Sequence, residues 1–394
     1  MEQLVRLGDV CTVVSGSTPK TSVDEYWNGD VKWITPAELD ADSYYIHDSV
    51  KHITELGRTK TGLSYMPVGT VILSSRAPIG KTAILGCEMC CNQGFKNLIC
   101  TDRIFNEYLY HFLRAKTNYL NSLGRGATFK ELSKGIVENV LIPLPAIEEQ
   151  HHIADLFASV EELIQTKKQQ LDLFDELVKS RFIELFGDPV DNPKTYLVKS
   201  LQELIDMGYI TYHLDGNHGG DYPRSEEFVD SGVPYIGANS IVNGEIDFSM
   251  AKFLTVERAG KLRKGIAQNN DVLFAHNATV GPTVVLKTTE PKVILSTSLT
   301  AYRCNQSELL PNYLKAYMQS DGFVRQYSGE MKQTTRNQVP ITAQKKYLFL
   351  VPPIVEQEQF STFVEQTDKS KLAVQQSIAE LEELKKSLMQ KYFG

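Results

Sequence analysis

The sequence predicts an α+β chain made of two similar globular domains and two long helices that pair with each other. Three observations predict it: an internal repeat, a long helical pattern after each domain, and short β-like runs mixed with helical stretches inside each domain. We place the boundaries at 1–146 for the first domain, 147–188 for the first helix, 189–354 for the second domain and 355–394 for the second helix.

The repeat is clearest around the helices. The stretch "LPAIEEQHHIADLFASVEELI" aligns with "VPPIVEQEQFSTFVEQTDKSK" at an offset of 207 residues. At the same offset "ELVKSRFIELFG", which closes at Gly187, aligns with "ELKKSLMQKYFG", which closes at Gly394. The preceding regions repeat more loosely, with an offset that drifts from 194 to 207, as insertions in loops would produce. The repeat therefore predicts two domains of one fold.

Each long helix carries an apolar stripe at spacings of three and four residues. The second stripe is a seven-residue repeat typical of a coiled-coil seam: Phe360, Phe363, Thr367, Ser370, Val374, Ser377, Leu381, Leu384 and Leu388. The alternative is that each helix packs only on its own domain. The length and duplication of the stripes favour pairing of the helices, over about 60 Å at 1.5 Å per residue.

The stretch "SRAPIGKT" ends like a phosphate-binding loop, which would indicate a nucleotide-binding enzyme. Ser75 stands where that motif needs glycine, Pro78 removes a backbone donor, and the second copy has Pro282 in place of Lys81. A strand, a turn and a second strand fit both copies better. Likewise Cys87, Cys90 and Cys91 lack a second ligand pair, so no metal site is predicted.

The net charge of −7 argues against general attraction to a polyanion. The helix at 148–188 holds ten acidic and four basic residues, whereas the two domains are nearly neutral. Any contact with DNA must therefore come from local basic patches on the domains. No membrane span or export signal is evident, so the expected location is cytoplasmic.

Five stretches together resemble the specificity subunit of type I restriction-modification systems: "RLGDVCTVVSGSTPK", "IPLPAIEEQ", "KSRFIELFGDP", "VPPIVEQ" and "ELKKSLMQKYFG". The resemblance covers the whole chain, in the order target-recognition domain, conserved helix, target-recognition domain, conserved helix. One departure is Val355, which stands where the family usually has the first glutamate of a Glu-Glu-Gln motif.

The resemblance implies a non-catalytic protein in which each target-recognition domain reads one half of a bipartite, asymmetric site in double-stranded DNA. The helices would form an antiparallel coiled coil with approximate twofold symmetry and set the gap between half-sites. Two modification subunits would dock on them and methylate adenine with S-adenosylmethionine, and restriction subunits using ATP and Mg would join through these. This chain itself would bind no cofactor, metal or membrane.

Base reading favours arginine and amide side chains, and phosphate contacts favour lysine, arginine and hydroxyls. The first-domain candidates are Ser17, Thr18, Lys20, Arg76, Lys81, Arg125, Thr128 and Lys130. The second-domain candidates are Tyr222, Arg224, His276, Asn277, Thr279, Lys332, Gln333, Thr334, Thr335, Arg336 and Asn337. A second hypothesis, a coiled-coil adaptor whose paired domains bind proteins rather than DNA, fits the acidic helices as well.

Overall fold

The computed structural model describes residues 4–40, 42–126, 130–331 and 337–394. The chain divides into two compact units, residues 1–169 with 375–394 and residues 170–374. Each unit therefore contains one domain together with about half of each long helix.

The first domain contains ten strands and five short helices within the described residues. The strands are β1 (Leu4–Arg6), β2 (Cys11–Ser15), β3 (Trp27–Ile34), β4 (Tyr45–Ile46), β5 (His52–Ile53), β6 (Val71–Ser74), β7 (Thr82–Leu85), β8 (Cys90–Cys91), β9 (Phe95–Cys100) and β10 (Leu141–Pro143). The helices are α1 (Leu7–Val10), α2 (Glu55–Thr61), α3 (Asn106–Ala115), α4 (Thr117–Leu123) and α5 (Lys134–Glu138). The first long helix, α6 (Ile147–Phe186), follows.

The second domain has the same mixture of short strands and helices. The strands are β11 (Leu197–Ser200), β12 (Ile210–Asp215), β13 (Phe228–Val229), β14 (Val233–Ile236), β15 (Ile241–Val242), β16 (Glu245–Ile246), β17 (Lys252–Leu254), β18 (Ile266–Ala267), β19 (Val272–Asn277), β20 (Thr279–Val285), β21 (Val293–Leu295), β22 (Leu299–Cys304) and β23 (Leu348–Val351). The helices are α7 (Leu201–Asp206), α8 (Val256–Gly260), α9 (Pro311–Met318), α10 (Asp321–Met331) and α11 (Ile341–Gln344), followed by the second long helix, α12 (Ile354–Phe393).

The two domains share one connectivity. Strands β2, β9, β6 and β7 are neighbours in that order, and β12, β22, β19 and β20 repeat the order. A second sheet in each domain joins one parallel pair, β3 with β8 and β14 with β21, to an antiparallel partner, β5 or β17. The prediction of two similar α+β domains is confirmed.

The "SRAPIGKT" stretch forms the turn between β6 and β7. Gly80 and its counterpart Gly281 have φ angles of 103° and 118°, a conformation that side chains disfavour, which explains why the glycine is kept in both copies. The Lys81 ammonium donates to the carbonyl oxygens of Pro36 (3.1 Å) and Leu39. A phosphate-binding loop leads into a helix, whereas this turn leads into a strand, so the strand–turn–strand prediction is confirmed.

Within each unit the two long helices lie side by side in opposite directions. In the first unit Phe157 stacks on Phe393, with 5.7 Å between ring centroids, and Glu161 pairs with Lys385. In the second unit Asp175 pairs with Lys371 and Phe182 contacts Phe360 at 5.6 Å. Residue numbers rise along one helix as they fall along its neighbour, which confirms the antiparallel pairing.

The predicted seam of α12 is largely correct, since seven of its nine positions are buried or half-buried. The exceptions are Ser370 and Leu384, which are exposed, whereas the adjacent Lys371 and Lys385 are half-buried. The physical reason is that Lys371 and Lys385 fill seam positions with their apolar stems while their ammonium groups pair with acids of α6.

The glutamine of the repeated motif ties each long helix to its domain. Gln150 is fully buried, accepts from the Phe105 amide (2.8 Å), and donates to the carbonyls of Arg103 (3.1 Å) and Pro145 (2.9 Å). Gln357 makes the same three bonds in the second unit, with the Leu310 amide (2.8 Å) and the carbonyls of Glu308 (3.2 Å) and Pro352 (2.9 Å). The motif is thus a structural clamp.

The core of the first unit contains a buried histidine, His111. His111 on α3 is fully buried and stacks on Phe157, with 4.9 Å between ring centroids. Neither ring nitrogen has a hydrogen-bond partner among the described residues. Burial, reinforced by the positive charges of Lys385 and Arg114, lowers the pKa of His111 to about 3, so the ring is neutral in the folded chain.

We expect the first unit to lose stability as the pH falls below about 6.5, the ordinary histidine pKa. Between that pH and about 3 the unfolded chain takes up a proton at His111 that the folded chain does not. The cost is at most about 1.4 kcal/mol per pH unit. Thermal unfolding of His111→Leu should depend less on pH than that of the wild type, with exposed His152→Gln as the control. Equal pH dependence in all three proteins would contradict the assignment.

Neither a membrane-spanning helix nor a metal cluster occurs in the described part of the chain. Within those residues no helix is both long and apolar enough to cross a membrane. Nor do three or more histidine, cysteine or acidic side chains come together there in an arrangement that could hold a metal ion. Cys90 and Cys91 are buried in β8, and Cys87 is half-buried.

Candidate nucleic-acid interface

The first-domain candidates converge at one end of the main sheet. Ser15 at the end of β2 pairs with Lys96 at the start of β9, and Ser74 at the end of β6 pairs with Phe95. The loop at 16–20 and the turn at 75–81 therefore leave the sheet at the same edge. We call this edge, together with Arg125, Lys130 and Glu131, the first sheet end.

Two tryptophan side chains donate hydrogen bonds to the backbone of the loop at 16–20. The indole N–H of Trp33 donates to the Ser17 carbonyl (3.0 Å), and that of Trp27 donates to the Lys20 carbonyl (3.3 Å). The Asn92 amide donates to the Thr18 hydroxyl (2.9 Å), which fixes that side chain. Lys20 itself is exposed, so the loop offers a positive charge on a well-supported backbone.

The turn at 75–81 and residues 125, 130 and 131 carry the other charges of the first sheet end. Glu131 pairs through its backbone with both Arg76 and Arg125, so it lies between these two arginines. Arg125 and Lys130 are exposed and Arg76 is half-buried. The Lys81 ammonium instead donates hydrogen bonds to the carbonyl oxygens of Pro36 and Leu39. Thr128 lies outside the described residues, and its contact with DNA stays a prediction.

The corresponding edge of the second domain repeats this geometry with different side chains. We call the end of β12, the turn after Asn277 and residues 337–338 the second sheet end. Asp215 at the end of β12 pairs with Thr300 at the start of β22, and Asn277 ends β19. Asn277 pairs through its backbone with Gln338, and the Ala278 amide donates to the Asn337 carbonyl (2.9 Å). Five candidates lie outside the described residues: Lys332, Gln333, Thr334, Thr335 and Arg336. The described candidates Asn277, Thr279 and Asn337 come together here.

Three second-domain candidates are placed differently. His276 is buried, with its Nδ1 3.0 Å from the Val339 carbonyl oxygen, so it supports the turn from inside the domain. Burial lowers the pKa of His276, which favours a neutral ring. Tyr222 and Arg224 are exposed on the segment between β12 and β13, a different segment from the turn that follows Asn277. DNA binding by these three side chains stays a prediction.

Two residues of the first sheet end, Lys96 and Glu131, are recognisable as a pair only in the folded chain. Lys96 lies in β9 with its side chain 6% exposed, and its ammonium is 3.6 Å from a Glu131 carboxylate oxygen. The available signal was a lysine inside the apolar run "GFKNLIC", where a charged residue needs a partner. Glu131, 35 positions further along, is that partner.

Comparisons with known proteins agree with this architecture. The model of the type I restriction modification DNA specificity domain matches residues 2–173 and 193–383. The MjaIX specificity subunit of Methanocaldococcus jannaschii is 34% identical over 61% of this chain and 58% of its own length. The MjaVIII specificity subunit of the same organism is 24% identical over 71% of this chain and 64% of its own length. The alignments thus span less than two thirds of these relatives.

A solved structure shares the fold along nearly the whole chain. It comes from work on complex assembly and conformational transition of a type I R-M system, with a TM-score of 0.64 and 21% identity. The match covers 99% of this chain and 97% of that one. Two sheet ends of equivalent geometry, a duplicated helix motif and a family model that matches most of the sequence agree, and the chain belongs to the type I restriction modification DNA specificity domain family.

Proposed function

We propose that this chain is a non-catalytic DNA-specificity subunit in which each domain reads one half of a bipartite, asymmetric site. One observation supports this most directly. Equivalent turns present Arg76 at the first sheet end and Asn277 at the second. The backbone of Arg76 pairs with Glu131, and that of Asn277 pairs with Gln338. Arginine is suited to guanine and asparagine to adenine in the major groove. Two equivalent scaffolds with different reading side chains fit an asymmetric site.

Phosphate contacts would position these side chains on the DNA. Lys20, Arg125 and Lys130 are exposed at the first sheet end, and each can neutralise a phosphate. Since the chain as a whole carries a net charge of −7, the attraction must be local. Binding should therefore weaken with added salt. The slope of the logarithm of the binding constant against the logarithm of the salt concentration should correspond to only a few contacted phosphates.

We further propose that two modification subunits dock on the long helices. Leu177 of α6 and Leu384 of α12 are equivalent in the repeat, and they are 48% and 45% exposed. Each unit thus presents one exposed leucine at the same helix position, as two copies of one partner require. S-adenosylmethionine would be bound by those partners, and ATP and Mg by restriction subunits that join through them. This chain would bind no cofactor.

The test is to map methylated adenines across the genome of a host that carries this chain with the modification subunit encoded beside it. We expect one split motif that disappears when the chain is deleted and returns with the wild-type gene. Arg76→Ala should relax one half of the motif and Asn277→Ala the other, since a bidentate base contact is worth about 1–3 kcal/mol of discrimination.

The control is Arg103→Ala, which removes an exposed arginine just after β9, at the opposite end of the same sheet. This variant should leave the motif unchanged. Methylation that persists without the chain would refute the proposed function. Assembly with partners that never bind DNA would favour the adaptor hypothesis.

A further inference from the structure

The first sheet end contains a buried positive charge that the proposed DNA contacts do not use. The Lys96 side chain is 6% exposed, and its ammonium donates to the Ser75 hydroxyl (3.3 Å). Its ion-pair partner within the described residues is Glu131, at 3.6 Å. A buried ammonium is costly unless it is paired, so Lys96 holds the Glu131 carboxylate at this place. Burial also lowers the pKa of Lys96, as expected for a desolvated cation.

Glu131 is shared between two cations. One carboxylate oxygen faces Lys96, and the other lies 3.5 Å from Nη1 of Arg76, at the outer limit of a hydrogen bond. The Arg76 side chain is 36% exposed and Glu131 is 40% exposed, so this second contact faces solvent. Exposed ion pairs contribute little stability, which makes Arg76 the partner that can leave.

The second domain has a different residue at each of the positions that Lys96, Glu131 and Arg76 occupy in the first domain. Strand pairing places Thr300 where the first domain has Lys96, because Ser15 pairs with Lys96 and Asp215 pairs with Thr300. The bridge partner of Asn277 is the neutral Gln338, whereas the bridge partner of Arg76 is Glu131. The lysine and the glutamate are thus present where the turn offers arginine, and both are absent where it offers asparagine.

We infer that Lys96 is a positioning residue for DNA reading: by binding Glu131 from the buried side, it keeps Arg76 available to the DNA. Without Lys96, Arg76 would be the remaining ion-pair partner of the carboxylate among the described residues, and the carboxylate would hold it. Phosphates would then be repelled by an uncompensated negative charge beside the reading side chain. The inference rests on the proposed function, because it assigns Lys96 a role only if Arg76 reads DNA.

A double-mutant cycle tests the inference in the assembled complex of this chain with its modification subunits. The variants are Lys96→Met, Glu131→Gln and the pair, each measured for affinity to a duplex that carries the mapped site. Lys96→Met should weaken binding by about tenfold to a hundredfold, as the loss of one base contact would. The pair should bind within about threefold of the wild type, since a neutral amide in place of the Glu131 carboxylate cannot retain Arg76. Lys96→Arg should also bind like the wild type.

Folding is checked separately, by the fluorescence of Trp27 and Trp33 in the same domain. Lys96→Met with native fluorescence but weak binding, restored by Glu131→Gln, supports the inference. Weak binding that Glu131→Gln does not restore, or unchanged binding in Lys96→Met, overturns it while the proposed function stands. A wild-type complex that prefers no DNA sequence overturns both, so the two failures are distinguishable.

Discussion

Replacing Phe393 with alanine is expected to unfold the first unit at a much lower temperature, although Phe393 follows the second domain in the sequence. Phe393 is 1% exposed, and its ring lies 5.3 Å from Tyr108, 5.8 Å from Phe112 and 5.7 Å from Phe157. Truncating a core phenylalanine to alanine costs about 3–5 kcal/mol. For a domain of this size that corresponds to a fall of roughly 10 °C in Tm.

Intrinsic fluorescence isolates this effect. The chain has two tryptophans, Trp27 and Trp33, and both lie in the first domain. Their melting curve therefore reports the first unit alone, and it should move in Phe393→Ala. Leu384→Ala, on an exposed position of the same helix, is the control and should change stability by less than about 0.5 kcal/mol. A tryptophan transition that stays in place in Phe393→Ala would show that this helix end does not pack on the first domain.

Replacing Gln150 or Gln357 with leucine should produce the second large loss of stability, each in its own unit. Leucine fills most of the space but leaves one amide and two carbonyl groups without partners. An unsatisfied buried polar group costs about 1–3 kcal/mol, so we expect at least about 3 kcal/mol in total. The long helix would detach from its domain before the domain core unfolds.

Hydrogen exchange resolved along the chain can measure both clamps. Gln150→Leu should raise exchange at the start of α6 and at the Phe105 amide, and Gln357→Leu at the start of α12 and at the Leu310 amide. Glu149→Gln and Glu358→Gln change exposed neighbours of the clamps and should leave exchange unaltered. If the leucine variants exchange like the wild type, the glutamines are not clamps and the repeated motif needs another explanation.

The duplicated fold could be predicted from the sequence because its determinants are local and recur at one offset. The clamp glutamines and the phenylalanines before Gly187 and Gly394 occupy matching positions in both copies. Gly187 has a φ of 75°, and its amide donates to the Ile183 carbonyl (2.8 Å). Because glycine readily adopts this conformation, its position in the sequence predicts the end of the first helix.

The two seam lysines and the buried charges could not be predicted in the same way. A hydrophobic pattern counts lysine as polar, yet the stems of Lys371 and Lys385 fill the seam because acids of α6 are within reach. Lys96 and Glu131 become neighbours only through the pairing of distant segments. The sequence predicts His276 as a contact because it precedes the turn, but its ring is buried in the domain against the Val339 carbonyl. Each of these outcomes depends on tertiary contacts.

The most direct test of independent reading by two equivalent domains is a chain that carries the second domain twice. Residues 199–350 would replace residues 5–143, with junctions in the equivalent strand pairs β11–β23 and β1–β10. Adenine methylation mapped in a host with this chain and its modification subunits should occur at an inverted repeat of the second half-site. Methylation that remains at the original asymmetric motif would contradict the account, because the first half-site would then be read without the first domain.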